Sequence, residues 1–182
     1  MRREARLRPV LKMTVRRRPS GLEGLAGTIV GQQLSIASAA ATVWARVTAA
    51  FDFLHHDVLL RARTDKLARL GLSAAKIKTL KSLAREIAEK RLDLDVLEER
   101  GASVPHNLLT GLHGVGPWTA DVYLLFRLGQ GDAWPAGDLA LQESVHIGLG
   151  LDTRPSAKQM GPLAENWRPL RGAAAHLWWA YY

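Results

Sequence analysis

The sequence predicts an all-α fold, and three observations support this class. Alanine, leucine and arginine, which favour helices, are frequent along the whole chain. Apolar residues recur at intervals of three and four, as they do on one face of a helix. The β-branched residues are too scattered to give the alternating pattern of strands. We therefore expect one domain of about ten helices with short connections.

The first half of the chain shows three helical patterns. Leu22, Leu25, Ile29 and Val30 predict a helix that ends near residues 31–33. Ser35 is a suitable N-cap for a second helix, whose small residues predict a tightly packed, central position. Ser73 begins the clearest amphipathic segment, whose apolar stripe contains Ile77, Leu80, Leu83, Ala84 and Ile87. The basic residues outside that stripe are expected to form a solvated face: Lys76, Lys78, Lys81 and Arg85.

The second half predicts a series of short helices. Ser103 marks the start of a helix that runs to about Leu112, and a glycine-containing connection follows it. A further helix is expected from Pro117 to about Leu128, and residues 129–137 have the composition of a loop. Three more helices are expected near residues 138–149, 156–167 and 169–182.

The positive charge is concentrated at the N-terminus. The first twenty residues carry eight arginines and lysines against Glu4, a net charge of +7, whereas the whole chain has +8. Composition is therefore weak support for nucleic-acid binding, because it rests on one short arm. The chain has no cysteine, which excludes a disulfide scaffold, a thiol nucleophile and a cysteine-ligated zinc or iron–sulfur site. It also lacks a transmembrane pattern and a secretory signal.

The most informative motif is Leu-His-Gly-Val-Gly-Pro-Trp-Thr-Ala at residues 112–120. Gly114 and Gly116 allow a sharp turn between two helices, with positive φ available and no Cβ to block a ligand. Val115 can fill the space between the helices, and Pro117 suits the first helical position. The amides of that first turn would face outward and favour an anion such as a DNA phosphate. A plain helix–turn–helix connection explains the two glycines alone at least as well.

This motif is one of four that follow one another in a characteristic order. The others are Thr-Ile-Val-Gly-Gln-Gln-Leu-Ser at 28–35, Trp-Pro-Ala-Gly-Asp-Leu-Ala-Leu-Gln at 134–142, and Trp-Arg-Pro-Leu-Arg at 167–171 with His-Leu-Trp at 176–178. Together they resemble the HhH-GPD superfamily of DNA glycosylases, and the last resembles its 3-methyladenine DNA glycosylase II branch. The resemblance implies a two-lobe helical fold with the active cleft between the lobes. Lobe one would span about 21–128, with the hairpin at 105–128, and lobe two would combine 1–20 with about 137–182.

The resemblance implies that Asp138 is the catalytic carboxylate. Breaking an N-glycosidic bond develops positive charge on the sugar, which a carboxylate beneath C1′ would stabilise while it orients or deprotonates the attacking water. The local sequence alone favours a structural role, since Asp138 lies where an N-cap is expected before Leu139. The two roles are compatible.

Two tryptophans correspond to the base pocket of this branch. Trp118 stands where bifunctional members have a lysine that forms a Schiff base, so we expect hydrolysis without strand cleavage. Its indole could stack on a flipped base, with a cation–π contribution from an alkylated purine, or be an ordinary core side chain. Trp178 matches the second pocket tryptophan, whereas Trp179 is expected to be in the packing. Val122 replaces a tyrosine that is frequent in the branch, and Tyr123 should point elsewhere on the helix, so the aromatic lining is thinner.

The resemblance also assigns DNA contacts to Gln33, Gly114, Gly116, Trp118 and Thr119. Gln33 stands where the family inserts a side chain into the gap left by a flipped base, although an exposed helix-end amide is the alternative. Its neighbour Gln32 is expected to be structural, and Arg171 is expected to contact a phosphate.

A monovalent cation, Na⁺ or K⁺, is implied beside the DNA phosphate by the same resemblance. Its ligands would be the backbone carbonyls of Thr110, His113 and Val115. No catalytic metal, cofactor or iron–sulfur cluster is expected. The histidines lack a complete metal-ligand pattern, so His55 and His56 are expected to be surface or capping groups.

The sequence thus predicts a monofunctional DNA glycosylase of base excision repair that acts on damaged bases in double-stranded DNA. Alkylated purines such as 3-methyladenine are the favoured substrates, because their cationic bases are good leaving groups. The alternatives are a glycosylase for deaminated or oxidised bases, which Val122 leaves open, and a non-catalytic DNA-damage-binding protein. We expect a monomer in the bacterial cytoplasm. We also expect the N-terminal β-containing domain of the branch to be missing, since about twenty residues precede the first matching helix.

Overall fold

The computed structural model describes residues 21–33, 37–51, 54–100 and 104–181, and the regular structure in these ranges is entirely helical. The all-α prediction is therefore confirmed. The helices of these ranges are α1 Gly21–Gly31, α2 Ala37–Ala49, α3 His56–Arg61, α4 Thr64–Arg69, α5 Ala74–Ala88, α6 Leu94–Arg100, α7 His106–Thr110, α8 Pro117–Phe126, α9 Leu139–Leu149, α10 Ala157–Ala164 and α11 Arg171–Tyr181. The N-terminal arm and the predicted caps Ser35 and Ser103 lie outside the described residues.

Helix α1 is the centre of the first group of packed helices. It contacts α2, α5, α6 and α8, and Leu25, Ile29 and Val30 on it are fully buried. The prediction that α2 is the central helix is wrong, because most of its described side chains are exposed or half-buried. Its alanines favour the helical conformation without needing burial. The residue of α2 that belongs to the buried core is Val47.

Helix α5 shows the predicted amphipathic pattern but not a fully solvated basic face. The side chain of Ser73 caps the helix by accepting from the amide of Lys76, and Lys78 and Arg85 are exposed. The amine of Lys76, however, donates to the carbonyl of Val30 at the end of α1, at 2.7 Å. The amine of Lys81 donates to the carbonyl of Ala62 after α3, also at 2.7 Å. These lysines hold helix C-termini, where the helix dipole favours a cation, and burial lowers the pKa of Lys76.

The predicted hairpin forms between α7 and α8, with both helices shorter than expected. Helix α7 ends at Thr110 instead of near Leu112, and α8 ends at Phe126 instead of Leu128. The amide of Val115 donates to the carbonyl of Leu112 at 3.1 Å. Leu112, which is predicted to end the helix, is therefore part of the turn. Val115 is buried, as predicted.

A second group of helices follows the loop 127–138. Helix α9 packs against α11, and α11 also contacts the 3-10 turn Glu165–Trp167 that follows α10. The guanidinium of Arg171 donates to both carboxylate oxygens of Asp132 at 2.8 Å, which joins the loop to the start of α11. The lobe boundaries stay a prediction. Across the described residues, no helix is both long and apolar enough to cross a membrane.

Candidate functional site

A cavity of about 730 Å³ lies where the two groups of helices meet. Three separate segments line it: residues 31–33 after α1, residues of 114–119 in the hairpin and the first turn of α8, and residues 137–140 at the start of α9. The structure therefore brings together most of the predicted site residues, namely Gln33, Gly114, Gly116, Trp118, Thr119 and Asp138.

Asp138 accepts three N–H hydrogen bonds at this cavity. The amide of Leu141 donates to Oδ1 at 2.9 Å, which makes Asp138 the N-cap of α9. The indole of Trp179 also donates to Oδ1, at 3.0 Å, and the indole of Trp118 donates to Oδ2 at 2.9 Å. Both oxygens are thus fixed in position by N–H donors. The N-cap role and a place in the cavity occur together.

Trp118 is a half-buried wall of the cavity whose orientation is fixed by Asp138. It occupies the second position of α8, after Gly116 and Pro117. Because its N–H is bonded to Asp138, the ring can rotate little without breaking that contact. Tyr123 is fully buried, as the helical geometry predicts, and does not line the cavity.

The tryptophan of α11 that reaches the site is Trp179 and not the predicted Trp178. The ring of Trp178 packs against Trp167 and over Gly148 of α9, where an added Cβ would lie 2.2 Å from it. Successive helical residues differ by about 100° in direction, so seating Trp178 on Gly148 turns Trp179 towards Asp138. The resemblance places Trp178 in the pocket, but two adjacent tryptophans alone give no sequence signal for the phase of α11. Gly148 inside α9 is a signal that indicates this phase.

Two aromatic side chains support Trp179 from behind. Its ring centroid lies 5.4 Å from that of Phe126 and 5.8 Å from that of His176. Burial lowers the pKa of His176, which favours a neutral imidazole next to the indole. These contacts limit the movement of the donor to Asp138.

The two predicted DNA-contact residues at the end of α1 and start of α8 have different environments. Gln33 is exposed at the cavity and has a left-handed backbone, with φ of 55°. Thr119 has only 2% of its surface exposed, and its hydroxyl accepts a hydrogen bond from the side chain of Gln32 at 2.8 Å. The Thr119 side chain is therefore a structural group, and a DNA contact through the backbone amide of Thr119 stays a prediction.

The two hairpin glycines are required for different reasons. Gly114 has a φ of +76°, and an added Cβ would lie 2.0 Å from the hydroxyl of Thr79 on α5. Gly116 has an extended backbone with φ of −85°, and no atom lies within 4 Å of an added Cβ. Only Gly114 uses the positive φ expected for both, and only Gly114 passes close to another helix. Gly116 instead leaves open space in front of the N-terminus of α8.

Arg171, which is expected to contact a phosphate, has a partner inside the protein. The Arg171 side chain is 18% exposed and donates to Asp132, so a partner inside the protein competes for it and the expected phosphate contact stays a prediction. The guanidinium in turn lowers the pKa of Asp132.

His55 is the N-cap of α3, which confirms the expected capping role. Within the described ranges, His55, His56 and Asp57 are three neighbouring potential ligands, but they lie outside the Asp138 cavity.

The two helices of the hairpin are also joined by a contact between an imidazole and a carboxyl group. Nε2 of His106 on α7 lies 3.4 Å from Oδ1 of Asp121 on α8, whose side chain is 15% exposed. Burial raises the pKa of Asp121 to about 6, against the opposing effect of the positive charges of His106 and Arg171. The folded protein therefore binds this proton more tightly than the unfolded chain does. The resulting contribution to stability is present below the ordinary pKa of 3.8 and is lost as the pH rises through about 6.

Replacing Asp121 with asparagine should therefore alter the pH dependence of stability. Relative to the parent protein, the free energy of unfolding of Asp121→Asn should rise by ~2 kcal/mol between pH 4 and pH 7, because asparagine carries no buried charge at the higher pH. Urea unfolding at a series of pH values measures the difference. The exposed Asp152→Asn serves as the control and should show a flat difference. A difference for Asp121→Asn that stays constant, or falls with pH, would contradict the assignment.

The fold and the cavity together define a helix-hairpin-helix protein with a fixed carboxylate in the cleft between two helical groups. Comparison with protein-family models identifies the superfamily to which this fold belongs. The model of the HhH-GPD superfamily base excision DNA repair proteins matches residues 26–169. The chain belongs to this superfamily.

Individual relatives share both sequence and fold. A DNA-3-methyladenine glycosylase of Saccharomyces cerevisiae is 32% identical over 127 residues, which cover 64% of this chain and 43% of the yeast protein. The structure of a Bacillus halodurans DNA-3-methyladenine glycosidase superposes with a TM-score of 0.75 at 26% identity and covers 98% of this chain and 85% of that chain.

The structure of a Schizosaccharomyces pombe 3-methyladenine DNA glycosylase, solved in complex with abasic DNA, superposes with a TM-score of 0.82. Its identity is 24%, and the match covers 97% of this chain and 89% of that chain, which establishes a common fold. The chain spans about half the length of the curated relatives that it matches.

Proposed function

We propose that this protein is a monofunctional DNA glycosylase that removes damaged bases, foremost alkylated purines such as 3-methyladenine, from double-stranded DNA. The observation that carries the proposal is Asp138, held at the cavity by three N–H donors beside Trp118. A carboxylate in this setting is suited to stabilising positive charge, and Trp118 is suited to holding a base next to it.

The proposed reaction breaks the bond between C1′ of deoxyribose and the damaged base. The bonding electrons leave with the base, and positive charge develops on the sugar in an oxocarbenium-like transition state. The Asp138 carboxylate stabilises that charge and orients or deprotonates the water that attacks C1′. Because Asp138 is already fixed by Leu141, Trp118 and Trp179, little rearrangement is needed when the charge appears.

Hydrolysis without strand cleavage is supported by the side chains that line the cavity. A lyase reaction needs an amine that forms a Schiff base with C1′. None of the described residues that line this cavity has a side-chain amine, and the position of the lyase lysine is Trp118. The amine of nearby Lys76 is bonded to the carbonyl of Val30. The expected product is therefore an abasic site in an intact strand.

The substrate class is supported by the electronic character of the pocket. The face of an indole attracts cations, and an alkylated purine is a cation that stacks. Such a base also leaves readily, so a carboxylate that stabilises the sugar is sufficient and a general acid for the base is not needed. The relatives named 3-methyladenine glycosylases support the same choice.

The hairpin would hold the DNA backbone beside the cavity. Gly116 leaves the N-terminus of α8 open, and this terminus favours a phosphate. The carbonyls of Thr110, His113 and Val115 fit the implied Na⁺ or K⁺ site, since no hydrogen bond joins them to another described residue. When bound, the cation would reduce the repulsion of the phosphate.

Two exposed side chains at the cavity, Gln33 and Leu139, would also contact the DNA. Gln33 is exposed at the cavity, in position to fill the space left by a flipped base. Leu139, next to Asp138, has 63% of its surface exposed and would offer an apolar surface to the displaced nucleotide. The monomeric state stays a prediction.

Trp179→Phe should separate the role of the indole N–H from that of the ring. Phenylalanine keeps an aromatic side chain against Phe126 and His176 but cannot donate to Asp138, so the single-turnover rate of base release should fall by about tenfold. Trp178→Phe is the matched control, which should change thermal stability but leave the rate within about twofold. Equal rate losses for both variants would contradict the assignment of Trp179 to the site.

The proposed function is tested with a set of duplexes that each contain one altered base. The set includes 3-methyladenine, 7-methylguanine, hypoxanthine, uracil and 8-oxoguanine, and the free base is measured by chromatography with the protein in excess. Release of the two methylated purines is the expected result. Release of only hypoxanthine, uracil or 8-oxoguanine would replace the proposed substrate class, and tight binding without any release would identify a damage-binding protein instead.

A further inference from the structure

We propose that Gln32 is a positioning residue that sets Gln33 in register with the phosphate-binding hairpin, so that phosphate binding and gap filling are coupled. The inference rests on the proposed function, in which the hairpin holds a phosphate and Gln33 enters the gap. Gln32 would act through Gln33, and it would connect the phosphate contact of the hairpin with the side chain that fills the gap.

The carrying observation is a pair of hydrogen bonds from one amide group. The Nε2 atom of Gln32 donates to the carbonyl of Gly114 at 3.0 Å and to the hydroxyl of Thr119 at 2.8 Å. Both acceptors belong to the hairpin and the first turn of α8, and they lie 82 and 87 residues along the chain from Gln32. Gln32 therefore holds together two elements that the chain connects only distantly.

The two acceptors cannot easily move away from Gln32. Gly114 passes so close to Thr79 of α5 that a Cβ there would overlap its hydroxyl. Thr119 is buried in α8, with 2% of its surface exposed. The hairpin thus provides a rigid support, which fixes the Gln32 side chain relative to the place where the phosphate would bind.

The chain around Gln32 is fixed on its other side as well. Its amide donates to the carbonyl of Ile29 at 3.1 Å, and the amine of Lys76 holds the neighbouring carbonyl of Val30. Gln33 follows directly with a φ of 55°, a conformation that residues other than glycine rarely adopt. The direction in which the Gln33 side chain leaves the turn is consequently set by the contacts of Gln32.

Glutamine is suited to this position because its amide nitrogen has two N–H groups for two acceptors. Methionine has a similar length and flexibility but no donor, and glutamate would place negative charge against the Gly114 carbonyl. Gln32→Met should therefore keep the volume while it releases the turn from the hairpin. Because no charge changes, the general attraction of DNA should be retained.

The test is a double-mutant cycle between positions 32 and 33, read by DNA binding. The measured quantity is the ratio of affinities for a duplex with a tetrahydrofuran abasic analogue and for the same undamaged duplex. Gln33→Ala should lower this ratio by about tenfold, and Gln32→Met should lower it by a similar factor. The double variant should lose no more than about twofold beyond either single variant, because both remove the same insertion.

Two further variants control for structure. Thr119→Val removes an acceptor of Gln32 and should reproduce the loss, whereas Thr119→Ser keeps the hydroxyl and should restore the ratio to within about twofold of the parent. Gln159→Met makes the same exchange in the capping box of α10, away from the cavity, and should leave the ratio unchanged. Thermal unfolding shows that each variant is folded before binding is measured.

The outcomes separate the inference from the function on which it rests. Losses that multiply in the double variant, to about a hundredfold, or an unchanged ratio for Gln32→Met, would overturn the coupling. An unchanged ratio for Gln33→Ala would overturn it too, since there would be no insertion to position. The proposed glycosylase activity is contradicted separately, if the parent protein releases no base. The double-mutant cycle measures only DNA binding, so its result does not depend on base release.

Discussion

Replacing Asp138 with asparagine should lower the single-turnover rate of base release by about 100- to 1,000-fold, as expected when preorganised charge stabilisation is removed. The amide has no negative charge for the developing oxocarbenium ion. It also has one acceptor oxygen where the carboxylate has two, so one N–H group of the amide must face an indole N–H.

The binding of an abasic duplex distinguishes this loss of chemistry from a loss of fold. Asp138→Asn should bind a tetrahydrofuran duplex within about threefold of the parent, since no phosphate contact changes. The exposed Asp152→Asn is the matched control and should release base at the parental rate. Normal base release by Asp138→Asn would remove the carboxylate from the mechanism.

The second large effect is expected from Gly114→Ala, which should destabilise the protein by ~3 kcal/mol. Two contributions combine: the positive φ of +76° disfavours any residue with a Cβ, and the new methyl group overlaps Thr79. Urea unfolding measures the change. Thr79→Ala in the same chain should recover part of the loss, because it removes the overlapping hydroxyl and methyl groups but leaves the backbone conformation.

Gly116→Ala is the informative counterpart two residues away. Its backbone suits any residue, and an added Cβ meets no atom within 4 Å, so its free energy of unfolding should stay within ~0.5 kcal/mol of the parent. Its affinity for DNA should nevertheless fall, because the methyl group would occupy the open space where a phosphate would approach. Destabilisation of both variants to the same degree would show that the two glycines do not have the separate roles inferred.

The fold was predictable where burial and helix periodicity coincide. On α5, the buried residues Ile77, Leu80 and Leu83 recur at helical spacing, and the Ser73 cap fixes the start. On α2, the alanines are equally compatible with a buried or an exposed helix, because alanine is both small and strongly helix-forming. Composition alone therefore could not place α2, and its predicted central position was wrong.

The candidate site was predictable from local patterns but its network was not. Asp138 and the hairpin glycines carry motifs that can be recognised one segment at a time. The contact between Trp179 and Asp138 depends on the phase of α11, and that phase depends on how Trp178 seats on Gly148. Likewise, the link from Gln32 to Gly114 depends on tertiary packing between residues 82 positions apart.

Tertiary contacts also explain why the number of charged residues was a poor guide to function. Lys76, Lys81 and Arg171 are cations that a count of charges makes available to DNA, yet each is hydrogen-bonded inside the protein. At the described cavity, binding would instead depend on the open amides of α8 and on Gln33. The net charge of +8 is therefore compatible with DNA binding without identifying its site.

The central claim is tested most directly with a duplex that contains one 7-methylguanine and an excess of the protein. After a single turnover, half of the sample is analysed at neutral pH and half after mild alkali treatment. The same duplex without protein is treated in parallel, because 7-methylguanine is itself cleaved by hot alkali. We predict an intact strand at neutral pH and protein-dependent cleavage at the modified position after alkali, the behaviour of an abasic product. Strand cleavage at neutral pH, or no alkali-sensitive site despite binding, would contradict it.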